Sequence, residues 1–80
     1  MYLINYFQCI KRQREFSDDE TNRLIELIRD NKLELSLKLA VSILLEYFKE
    51  SKKYFLNLTL EEQNEFKKYP IMKLWTEFKE

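Results

Sequence analysis

Cys9 is the one thiol of the chain, and histidine is absent. To act as a nucleophile, Cys9 would need a group to take its proton, and Lys11, Arg12 or a buried carboxylate would have to serve. Its place beside the apolar stripe of its segment reads instead as a structural or part-exposed thiol. Carboxylates adjoin at Asp18-Asp19-Glu20 and at Glu61-Glu62. Such neighbours can do acid-base work when one is buried. Here each group sits in the first turn behind Ser17 or Thr59, where helix capping already accounts for it. Without histidine there is no imidazole metal site. The Asp, Asn and Gly spacing of a calcium loop is also missing. With no glycine in the sequence, loops that cradle phosphate are missing too. The expectation is a protein that is not an enzyme, with no catalytic residues, no metal and no cofactor.

Binding chemistry is better represented. Cations gather at Lys11, Arg12 and Arg14, at Lys52 and Lys53, and at Lys67 and Lys68. Brought together beside Tyr54 or Tyr69, they could hold a nucleic-acid backbone. Each cluster also lies near an expected helix C-terminus, where cations are favoured in any case. Lys plus Arg equals Asp plus Glu at 14 each, so the whole domain has no net attraction for nucleic acid or an anionic membrane. A small helix-turn-helix around residues 17–55 is the alternative reading. Its would-be recognition helix is mostly leucine, with few groups to read base edges. The sharpest binding candidate is Ile71, Leu74, Trp75 and Phe78. Their i, i+3, i+4, i+7 spacing is that of helices that insert into partner grooves, and tryptophan is enriched at binding hot spots. The same stripe would serve equally well as core. Residues 2–14, with aromatics opposing cations, carry a weak resemblance in pattern to a membrane-surface helix.

Positioning these groups requires helices. Residues 2–14 place Tyr2, Leu3, Tyr6, Phe7 and Ile10 on one stripe. Ser17 opens a second helix, with Glu20 completing a capping box and Leu24, Ile25, Leu27 and Ile28 facing inward. From Asn31, taken as a cap with Glu34, to Phe55, polar residues return every fourth place at Glu34, Lys38, Ser42 and Glu46. So narrow a polar stripe predicts one long helix that other elements surround. Residues 33–39 alternate as a strand would, but their apolar members are leucines rather than β-branched residues, which favours helix. Thr59 and Glu62 form a further capping box, opening a helix to Lys68 with Leu58, Leu60, Phe66 and Tyr69 on its apolar face. Tyr69-Pro70 then breaks the chain before a last helix over 70–79.

The sequence therefore predicts an all-α fold: a small compact bundle of four or five helices around one long apolar central helix, in a single domain over 1–80. The apolar start precedes the basic cluster, the reverse of a signal peptide, and no apolar run approaches a membrane span, so a cytoplasmic protein is expected. The expected function is a non-enzymatic protein-protein interaction module that modulates a partner as an adaptor, inhibitor or immunity-type protein. Zero net charge and excess apolar helix make a homo-oligomer, such as a homodimer, a linked expectation. The bias to Lys, Glu, Asn, Ile and Phe points to an A+T-rich bacterial or phage genome.

Overall fold

A computed structural model describes residues 2–78. The side chains of Tyr2 and Leu3, and the last residue expected in the terminal helix, Lys79, lie outside the described residues. Five α-helices follow one another: α1 (Tyr2–Gln13), α2 (Asp18–Arg29), α3 (Leu35–Leu44), α4 (Phe48–Asn57) and α5 (Leu60–Phe66). A 3₁₀ helix, Pro70–Leu74, closes the described chain, which contains no strand among its described residues.

Both Ser/Thr capping boxes form as their spacing predicts. The Ser17 hydroxyl accepts from the Glu20 backbone N–H, and the Glu20 carboxylate accepts from the Ser17 N–H at 2.8 Å. Thr59 and Glu62 repeat the arrangement at 3.1 and 3.0 Å. Each box satisfies backbone donors that a helix N-terminus otherwise leaves without partners. Asn31 does not cap. Asp30 instead accepts from the Lys32 N–H through its side chain and from the Leu33 N–H through its carbonyl, which turns the chain through 30–33. Aspartate makes such turns readily. α3 starts only at Leu35, behind Glu34, which offers no side-chain cap.

The expected long helix over 31–55 is two helices. α3 ends at a Schellman motif. The Glu46 N–H donates to Ile43 O at 3.0 Å, and the Tyr47 N–H donates to Ser42 O at 2.9 Å. Glu46 adopts the left-handed conformation this motif requires, with φ of 61°. Glycine usually occupies that position, and this chain has none. A left-handed non-glycine residue costs roughly 1–2 kcal/mol. Part of that returns as lower unfolded-state entropy relative to glycine, about 0.4–1 kcal/mol. Glu46→Gly is therefore expected to raise stability by roughly 0.5–1 kcal/mol, seen as a higher urea midpoint at unchanged slope. A lower midpoint would contradict the strain assigned to Glu46.

Breaking the helix lets its two halves pack on each other. α3 becomes the enclosed element: Leu39, Ala40, Val41, Ser42, Ile43 and Leu44 are all buried in succession. α1, α2, α4 and the 3₁₀ helix pack around it. Ser42 and Ser51 face each other at the α3–α4 contact, fully buried, with their hydroxyl oxygens 2.6 Å apart. Ser42 Oγ also lies 2.6 Å from Leu39 O, and Ser51 Oγ lies 3.1 Å from Tyr47 O. Each hydroxyl has one proton, so the pair makes a single donor chain ending on one of these carbonyls. Small side chains with internal partners thus let two backbones approach without burying an unpaired polar group. On α1 the inward residues are Ile4, Phe7 and Gln8, while Tyr6, expected on the buried stripe, is exposed and packs edge-on against Phe7. On α5 Phe66 is the buried side chain; Leu60, expected on its apolar face, is 73 % exposed at the first helical position.

One charged contact fixes the α1–α2 corner. Arg14 grips Glu20 through two parallel hydrogen bonds of 2.8 and 2.9 Å. Together with the Ser17 N–H, this holds the Glu20 carboxyl down at about 2 and raises the Arg14 guanidinium above its ordinary value. A carboxylate held below its unfolded value stabilises the fold fully above that value, near 4.5, and loses the contribution as pH falls through about 2. Glutamine can keep the capping box without the charge. Wild type should therefore lose stability relative to Glu20→Gln between about pH 4.5 and pH 2. Carboxyl NMR should place the Glu20 midpoint near 2. A midpoint at the ordinary value would remove the clamp.

Candidate functional site

The four residues of the C-terminal stripe do not share one helical face. Tyr69 supplies no side-chain cap, and proline removes a backbone donor. A short segment so placed is marginal as an α-helix. The chain instead closes i to i+3 turns: the Met72 N–H donates to Tyr69 O, the Trp75 N–H to Met72 O and the Phe78 N–H to Trp75 O. This winding turns Ile71 and Trp75 into the protein's own core, where they are 1 % and 6 % exposed, so the stripe does not form the single exposed helical face its spacing predicts. Leu74 and Phe78 pack against the core and remain half-buried.

Trp75 belongs to an aromatic triad. Its ring centroid lies 5.7 Å from Phe55 and 4.8 Å from Phe78, and Phe55 lies 5.3 Å from Phe78. Edge-on and tilted arrangements of this kind are the favoured ones. The triad floors an open groove of about 740 Å³ between α4 and the C-terminal segment, within the range of about 300–1,000 Å³ common for binding clefts. Phe48, Lys49, Lys52 and Leu56 line it from α4. Gln63 and Lys67 contribute from α5 and its end, and Thr76 and Glu77 from the C-terminal segment. Gln63 also braces the wall: its side-chain amide donates to Phe55 O and Leu58 O, both at 3.1 Å.

Leu56 is the site residue that the sequence did not reveal. It is 65 % exposed at the groove edge. The side chains of Lys49 and Lys52, one turn apart on α4, make no ion pair or hydrogen bond among the described residues. The signal was present as Phe48, Lys52, Phe55 and Leu56 at i, i+4, i+7 and i+8. It becomes readable only once the helix is restarted at Phe48. The three basic clusters read from the sequence do not all come together: members of two meet at the groove and the first lies apart. Lys11 reaches Glu46 at 3.4 Å and sits 5.3 Å from the centre of the Phe16 ring. Arg14 is held by Glu20, while Lys52 and Lys67 face the groove.

Cys9 is exposed, and no group of His, Cys, Asp and Glu among the described residues could hold a metal ion. α3, the first half of the would-be recognition helix, is enclosed by the other elements, and the second half is α4. Among the described residues, no helix is long and apolar enough to cross a membrane. No protein-family model, curated protein or solved structure matches the chain.

Proposed function

We propose that this protein is a small non-enzymatic module that binds another protein and modulates it, working in the cytoplasm. The groove between α4 and the C-terminal segment is its contact surface. One observation carries the reading: Leu56 is a large aliphatic side chain left 65 % exposed at the mouth of an aromatic-floored groove. An apolar contact surrounded by polar groups is the usual build of a protein-binding surface. The binding residues of the earlier stripe thus narrow to the half-buried Leu74 and Phe78, with Phe78 in the groove lining. Ile71 and Trp75 support them from beneath.

A tagged pull-down from native extract treated with nuclease tests the reading. Wild type and Leu56→Glu are compared, after thermal melts show that both fold. A nuclease-resistant partner held by wild type and lost by Leu56→Glu is the expected result. A partner lost on nuclease treatment, or held equally by both proteins, would overturn it. Recovery of the protein with itself alone would make self-association its activity.

A further inference from the structure

Among the described residues that line the groove, Lys49 and Lys52 bring two positive charges from α4, and Glu77 is the one carboxylate. Lys49 and Lys52 are exposed on the same face of α4, and no carboxylate of the described residues pairs with either. Like charges one turn apart disfavour the helix slightly. In a chain of zero net charge, this is a local positive field beside an apolar floor, which selects ligands by charge.

We propose that the groove takes an acidic amphipathic segment of a partner protein. An apolar anchor side chain would lie against Leu56, Phe48 and Phe78, with flanking carboxylates on Lys49 and Lys52. This deepens the reading of the chain as a protein-binding module and rests on it. A single-stranded nucleic acid would also meet cations here, but it binds by stacking bases on open ring faces. Phe55 and Trp75 are buried, edge-on to each other, and the most exposed apolar group at the site is aliphatic. The site therefore fits an aliphatic or aromatic side chain better than a base. The groove is also open along one side, so a small molecule would leave much of its surface in water, whereas a peptide can lay one face into it.

Trp75 is the only tryptophan and lines the groove, so its fluorescence reports occupancy directly. Three probes without tryptophan are titrated into the intact protein: a leucine–glutamate amphipathic peptide, the same peptide with lysine for glutamate, and oligothymidylate. The acidic peptide is expected to shift the Trp75 emission and bind at least about tenfold more tightly than the lysine version, with the gap closing as salt rises. The double substitution Lys49→Glu and Lys52→Glu should leave the melting temperature unchanged and reverse the preference. Equal affinity for both peptides, no binding of the acidic one, or preferential binding of oligothymidylate would each overturn the proposal. If the extract partner still depends on Leu56 while the acidic peptide fails, the acidic-segment inference falls and the protein-binding reading stands.

Discussion

Trp75→Ala is expected to cost roughly 3–5 kcal/mol of stability, the usual range for deleting a buried tryptophan. Trp75 is buried against Phe55 and Phe78, and its backbone N–H closes the 3₁₀ helix on Met72 O. Removing the indole would leave a void between α4 and the C-terminal segment. Neither can collapse readily into it, because both also pack on α3. A domain of 80 residues holds roughly 4–12 kcal/mol in total. The variant should therefore melt lower by tens of degrees or be substantially unfolded at room temperature. Thermal circular dichroism decides the matter. A melting temperature within a few degrees of wild type would mean that Trp75 is a surface anchor after all.

Phe66→Ala should come close to it, again at roughly 3–5 kcal/mol, but with a more local consequence. α5 is seven residues long, and Phe66, 1 % exposed, is its buried side chain. Its ring also meets Tyr69 edge-on at 5.6 Å. The capping box satisfies the start of α5 but attaches it to nothing beyond Thr59. With Phe66 gone, Gln63 and its two hydrogen bonds to Phe55 and Leu58 remain as the main tie. α5 should lose its amide-exchange protection before the rest of the domain, and the groove should lose the wall that Gln63 and Lys67 provide. Uniform loss of protection along the chain would show that α5 does not open as a unit.

Those two side chains mark how far the sequence could be read. The all-helical class and both Ser/Thr capping boxes were legible because each rests on local chemistry: a hydroxyl, a glutamate three residues on, and apolar periodicity behind them. The enclosed nature of α3 was legible from its narrow polar stripe. The break at Glu46 was not. Helix ends are usually marked by glycine, and here a glutamate, a good helix former, occupies the left-handed position. That break separates α3 from α4 and sets the face on which Phe48, Lys52 and Leu56 align. The C-terminal stripe departs from its spacing for a related reason. Its spacing fits an α-helix, but after an uncapped Tyr69-Pro70 the chain winds as a 3₁₀ helix and tucks Ile71 and Trp75 inward. The groove depends on how α4 lies against that tucked segment, a tertiary relation that no local pattern encodes.

The most direct test of the account is to map the contact surface by amide chemical-shift changes. The protein partner recovered from nuclease-treated extract is added to isotopically labelled protein. The account predicts the largest changes at residues 48–56, 63–67 and 75–78, with α2 left unmoved. Changes centred on α2, or spread evenly over the chain, would show that function lies elsewhere and that the groove is only a feature of packing.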